Sequence, residues 1–371
     1  MSDVITLLRL MADEGASDLF LSANTRPHIK VQGVTRPVDM PALNSGQTKE
    51  RAYSFMTDSQ RKDFEATKES NFALAVDTIG RFRLNVFYQR GEVSVVLRRI
   101  KSTILSFEEL GLPPQVQELS LLKRGLVLMV GAAGTGKSTT MAAMIDYRAR
   151  LMDGHIITIE DPIEYLFSNG KAVVEQREVG IDTNTFGDAL RNAMREAPDV
   201  IVIGEIRDRE TAQHAIQYAE AGVLCISTLH SNNANQAIDR ILNFFPADAR
   251  QQVLLDLSLN LKGVVAQRLI PTIDGKQALA TGILLQSAYV SDLIQKGKID
   301  VLTDAIKKST DVGMQVFDDC LFRLYKDGQI SLEEALRNAD SHTDLALRIK
   351  LSVAQGENTR NSVVPPREKP F

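Results

Sequence analysis

The run Gly131-Ala132-Ala133-Gly134-Thr135-Gly136-Lys137-Ser138-Thr139 contains the residue types needed to hold a phosphate anhydride. Its three glycines tolerate backbone angles that aim several N–H groups at one anion, with Ala132, Ala133 and Thr135 contributing main-chain N–H groups between them. The apolar run Leu126 to Val130 before it reads as a buried strand, and the residues after Gly136 read as a helix. That helix adds its positive dipole end and unpaired N–H groups at the same point. Lys137 is placed to reach the outer phosphates as a point charge, and the Ser138 hydroxyl is suited to the coordination shell of a magnesium ion. Strand, glycines, Lys-Ser and helix occur in that order, which separates the motif from a glycine turn.

Three further apolar runs end in polar residues fit for phosphoryl chemistry. Ile156 to Ile159 is followed by Glu160-Asp161-Pro162-Ile163-Glu164, Val200 to Ile203 by Gly204-Glu205-Ile206-Arg207-Asp208, and Val223 to Ile226 by Ser227-Thr228-Leu229-His230. In an open parallel sheet, ligands bind beyond the carboxyl ends of the strands, so these residues should converge on the phosphate loop. Transfer of a phosphoryl group to water needs magnesium, a carboxylate that orients or deprotonates the water, and cations that offset the developing charge. Glu164 and Glu205 are the candidates for general base and magnesium holder, in an order that periodicity does not decide. His230 can donate from either ring nitrogen and is a candidate phosphate sensor.

The elements that must position these groups follow from the pattern along the chain. The first hundred residues read as a mixed α+β unit, with an amphipathic helix near Val4 to Met11 and antiparallel strands in "IKVQGVTRPV" and "RFRLNVFYQRGEVSVVLRRI". Pro113 and Pro114 interrupt the pattern and put a junction near Glu109 to Gln115. Beyond it, short apolar runs alternate with helix-length segments, the pattern of an α/β domain whose parallel sheet is covered on both faces. After about Pro271 the chain reads as helical, with Ser331 and Glu334 as a capping box. The polar, proline-containing end, residues 356–371, reads as a disordered tail.

Composition sets bounds. A chain of 371 residues accommodates roughly two or three domains. A formal net charge of -4 gives no reason to expect a nucleic-acid partner. Two cysteines, Cys225 and Cys320, build neither a disulfide framework nor a four-cysteine zinc site, and Cys225 reads as a small buried thiol. No apolar run approaches the roughly 18 residues of a membrane span, and a cytoplasmic location is expected.

Longer motifs resemble the hexameric secretion and pilus ATPases, and within them the type IV pilus retraction motors. "ASDLFLS" resembles the N-terminal signature of that family, "IITIEDPIEY" its Asp box, "APDVIVIGEIRDRET" its Walker B region and "CISTLHSNNANQAIDRILNFFP" its His box. "GMQVFDDCLFRLYKDGQISLEEAL" resembles the C-terminal segment of retraction motors, so the resemblance covers nearly the whole chain. It implies a PAS-like α+β domain over residues 1–110, a RecA-like P-loop ATPase domain over 111–355, and a homo-hexamer that hydrolyses ATP with Mg2+. By matching motifs, Glu164 is the water-activating glutamate, Glu205 the Walker B glutamate and His230 the His-box histidine. Arg81 and Arg83 match arginines extended toward the nucleotide from the N-terminal domain.

Two departures, Val223 after Ala221-Gly222 and "AYVSDLIQKGK" in place of a segment typical of the principal retraction motor, resemble its paralogue. The implied partners are a paralogous retraction ATPase and an inner-membrane pilus platform protein, which would hold the ring against the inner membrane at the pilus base. Two rival functions stay open: a weakly hydrolysing scaffold that joins a related motor ring, and a nucleic-acid translocase.

Overall fold

The computed structural model describes residues 2–31, 33–100 and 103–354, and the predicted tail lies outside them. The chain forms two compact units, one reaching to Thr103 together with Ile163–Leu166, the other running from Ile104 onward apart from that segment.

In the first unit, helix α1 (Ser2–Asp13) extends the amphipathic pattern by two residues at each end, and its Val4, Leu7, Leu8 and Met11 are buried at helical spacing. It is followed by β1 (Asp18–Leu21), β2 (His28–Val31), β3 (Val34–Pro37), α2 (Gln47–Tyr53), α3 (Asp58–Thr67), β4 (Glu69–Val76), β5 (Gly80–Gln89) and β6 (Glu92–Ile100). The strands make one antiparallel sheet in the order β3-β2-β1-β6-β5-β4. Along β5, Phe82, Leu84 and Val86 enter the core, so Arg81 and Arg83 take the opposite face by the two-residue period of a strand.

The second unit contains α4 (Pro114–Ser120), β7 (Gly125–Val130), α5 (Lys137–Leu151), β8 (Gly154–Glu160), β9 (Ala172–Glu178), α6 (Phe186–Ala193), β10 (Val200–Ile203), α7 (Arg209–Glu220) and β11 (Leu224–Leu229). It continues with α8 (Ala234–Asn243), α9 (Arg250–Asn260), β12 (Leu261–Pro271), β13 (Gln277–Leu285), α10 (Ala288–Gln295), α11 (Leu302–Lys308), α12 (Phe317–Lys326), α13 (Leu332–Arg337) and α14 (His342–Ala354). Its seven-stranded sheet has the order β13-β12-β7-β11-β10-β8-β9. All pairings are parallel except that of β12 with β13. Strands β7, β10 and β11 are buried at every residue, as a sheet covered on both faces requires. One face packs Val127, Met129, Val202 and Ile226 against Met141 and Met144 of α5; the other packs Leu126, Ile201 and Cys225 against residues of α6, α7 and α9. Burial pushes the Cys225 thiol far above its ordinary range, consistent with an inert packed side chain.

The structure corrects the C-terminal reading in two respects. The chain after Pro271 is not all helical, because Gln277–Leu285 forms β13 and pairs with β12 from Gly263↔Leu285 to Pro271↔Gln277. "ALATGILL" has few β-branched residues, and the hairpin partner supplies the strand that local propensity does not signal. Ser331 accepts from the backbone N–H of Glu334, whereas the Glu334 carboxylate takes Arg337 and Asn338 instead of closing a capping box.

Candidate nucleotide site

The phosphate loop is shaped by a clash that only glycine avoids. A Cβ on Gly131, where φ is 155°, would lie 2.4 Å from Thr135 Oγ1 and 2.6 Å from the main-chain oxygen of Gln267. Gly134 and Gly136 adopt left-handed angles, φ 78° and 87°, and Gly136 is the N-cap of α5 without any side-chain cap. The first N–H groups of α5 therefore face the loop without a capping side chain, as an anion site requires. Between the ends of the loop, Ala132, Ala133 and Gly134 form an exposed crest. Their side chains carry no polar atom, so they can offer an anion main-chain N–H groups alone. Lys137 is buried, and its Nζ donates to the carbonyls of Gly131 at 2.8 Å and Ala132 at 2.7 Å. Ser138 and Thr139 follow in the first turn of α5, both half-buried. This cradle fits a polyphosphate, and Ser138 beside it fits a magnesium ion shared with the phosphates.

The strand ends carry the remaining groups because helix caps begin almost at once. Strand β10 stops at Ile203 and Asp208 caps α7 through the N–H of Thr211, so Gly204 to Arg207 have only the carboxyl edge to occupy. Strand β11 stops at Leu229 and Asn233 caps α8 through the N–H of Gln236, which leaves His230 to Asn232 at the same edge. There, His230 Nε2 lies 3.4 Å from Glu205 Oε2. Arg207 Nη1 lies 3.7 Å from both Glu205 Oε1 and Asp161 Oδ2, with its guanidinium 4.8 Å above the Phe186 ring. The ends of β8, β10 and β11 are thus joined by one chain of polar side chains, Asp161–Arg207–Glu205–His230. Each member is about one third to one half exposed, so the field is open to solvent and to a ligand.

Beside the loop, Ala132, His230, Gln236, Asp239 and Arg240 help to line a cavity of about 490 Å3. Of the loop residues expected from the sequence to bind phosphate, Ala132 lines this cavity, and Ala133 is exposed beside it on the crest. Behind the exposed carboxylates, Glu160 is buried at the end of β8 and accepts from Thr158 Oγ1 at 2.6 Å and Gln176 Nε2 at 3.2 Å. Among the described residues no cluster of three His, Cys, Asp or Glu side chains could hold a metal by itself. A magnesium ion carried on phosphates does not need one.

Glu205 and His230 are brought together. Glu164 lies in Ile163–Leu166, the segment that clusters with the first unit, where Arg81 and Arg83 also lie. The sequence reading grouped Arg207 with the strand ends but gave it no role, although a basic residue two positions after Glu205 was the visible signal. It passed over Gln267, whose only signal is one amide within the apolar run "VVAQRLI".

Residues 4–355 match the family described as "Type II/IV secretion system protein". The chain is 53% identical to the type IV pilus ATPase PilU of Pseudomonas aeruginosa over 346 residues, 93% of this chain and 91% of that protein. It is 42% identical to the type IV pilus retractation ATPase PilT of the same organism, covering 91% of this chain and 98% of that one. A crystal structure of the pilus retraction motor PilT with bound ADP superposes with a TM-score of 0.88 at 41% identity, covering 93% of this chain and 99% of that chain. No described helix is long and apolar enough to cross a membrane.

Proposed function

The chain belongs to the type II/IV secretion system protein family, and on that premise we propose that it is an ATP-hydrolysing motor of type IV pilus retraction. The observation that carries the reading is the phosphate loop at the sheet edge where Glu205, Arg207 and His230 meet. In this scheme Lys137 leaves the two loop carbonyls for the outer phosphates of ATP, and the N–H groups of the loop from Ala132 and Ala133 to Thr139 take the rest of the charge. Ser138 and, through water, Glu205 would hold Mg2+, which would supply positive charge against the phosphates. Glu164 orients the attacking water. His230, touching Glu205, senses whether the terminal phosphate is present, and Arg81 and Arg83 offset charge in the transition state when the first unit closes. The roles of Lys137, Glu205 and His230 rest on the motifs together with the geometry of the loop and strand ends; those of Glu164, Arg81 and Arg83 rest on the motifs.

The functional assembly in this reading is a cytoplasmic homo-hexamer at the pilus base, working with a paralogous retraction ATPase against a membrane platform protein. Identity to PilU and PilT over nearly the full chain supports it. The junction near Glu109 to Gln115 would serve as the hinge. A second reading, a ring partner that hydrolyses little, is favoured by "AYVSDLIQKGK", whose first eight residues form α10 and expose Tyr289. Steady-state ATP turnover of the purified chain with Mg2+, with Lys137→Ala as control, decides between them. The motor reading expects turnover that this substitution abolishes; background-level turnover in the native chain favours the partner reading.

A further inference from the structure

Gln267 lies on β12, beside the phosphate loop in space although 136 residues after Gly131 in sequence. The register of β12 on β7 sets Ala266 opposite Val130, which places Gln267 next to Gly131. Two contacts follow. The main-chain oxygen of Gln267 is the backbone atom that a Cβ on Gly131 would meet, at 2.6 Å, so it backs the first residue of the loop. Its side chain reaches the other end, where Nε2 donates to Thr140 Oγ1 at 2.7 Å, three residues after Lys137. One residue therefore braces both ends of the segment that must close around phosphate.

The side chain is fully buried, yet Oε1 has no hydrogen-bond partner among the described residues. Exchanging the amide oxygen and nitrogen would only move the deficit to the nitrogen, since Thr140 Oγ1 meets one pole alone. A buried amide with one pole unpaired costs stability, and an unbranched apolar side chain of the same length would avoid that cost. Polar groups kept at such a cost cluster where function needs them.

We propose that Gln267 is a positioning residue of the nucleotide site, holding Gly131 and the first turns of α5 in the one frame that presents Lys137 and the loop N–H groups to phosphate. It acts through the loop and α5 and touches no reacting atom. The inference rests on the nucleotide reading above.

The test uses the full chain with Gln267→Met, Thr140→Val and the double variant, each measured for thermal midpoint, ADP affinity, and kcat and KM for ATP. Gln267→Met is expected to melt at or above the native temperature while ADP binding weakens at least fivefold and kcat falls. Thr140→Val should reproduce the ADP defect, and the double variant should add little to either single one, because both remove the same brace. Native ADP affinity and kcat in Gln267→Met would overturn the proposal. So would a lowered melting temperature with activity lost only in proportion to unfolded protein, or ADP defects that add in the double variant. Failure of the nucleotide reading would show separately, as a native chain that does not bind ADP, and the proposal would fall with it.

Discussion

Gly131→Ala separates loop geometry from fold stability. The new methyl would meet Thr135 Oγ1 and the Gln267 carbonyl inside van der Waals distance, on a backbone whose φ of 155° side chains rarely adopt. Thr135 can rotate away at the loss of its 2.9 Å bond to the Ala132 carbonyl. The Gln267 carbonyl is held in place, since β12 is paired with β13 at Gln267↔Thr281 and with β7 up to the preceding Ala266. The loop must therefore move outward. Overpacking of this kind costs about 1–3 kcal/mol, and a non-glycine residue in a sparsely populated backbone region adds about 1–3 kcal/mol. Without nucleotide, the exposed stretch Ala132, Ala133 and Gly134 can absorb much of that displacement. With nucleotide, the phosphate contacts require the original path. If about 2–4 kcal/mol falls on the bound state alone, ADP affinity drops roughly 30-fold to several-hundred-fold. A residual penalty of about 1 kcal/mol in the empty state would lower the melting temperature by about 2–4 °C. Titration with ADP beside a thermal melt reads both quantities. Native ADP affinity in a folded variant would refute the reasoning, as would a collapse in melting temperature large enough to explain the lost binding.

Lys137→Ala should abolish turnover, because positioned cations commonly supply several kcal/mol of transition-state stabilisation; near-native turnover would remove the phosphate-loop assignment. Glu164→Gln should keep magnesium-ATP binding and lose turnover, whereas Glu205→Gln should raise the magnesium needed for half-maximal rate; the opposite pattern would exchange their roles. Replacing Arg81 and Arg83 together with Ala should cut kcat far more than ATP affinity and leave the solution mass unchanged, and an unchanged kcat would make them surface charges. Partial desolvation, and then the neighbouring Asp256, hold the carboxyl of the exposed Glu220 above its ordinary 4.5. The folded state is thus penalised as pH rises through that raised value and not below 4.5. Glu220→Gln should accordingly raise the melting temperature near pH 7, with the gain vanishing near pH 4; a gain that persists in acid would point to another cause.

The chemistry of the site was written along the chain. Glycine, lysine and serine at fixed offsets specify a phosphate cradle, apolar runs specify buried strands, and Asp208 and Asn233 stop the polar connections within four residues. Such information is local, because backbone preference, side-chain period and cap chemistry act over one or two turns of chain. Which strands become neighbours is not local. The order β12-β7-β11-β10-β8 depends on how two helical layers bury both faces of the sheet at once. That packing put His230 against Glu205 and let Arg207 tie β10 to β8. It also supplied β13 with a partner and set Gln267 behind Gly131. Residues 136 positions apart meet only after the sheet has closed, since their contact is fixed by strand register and not by any property of the intervening chain.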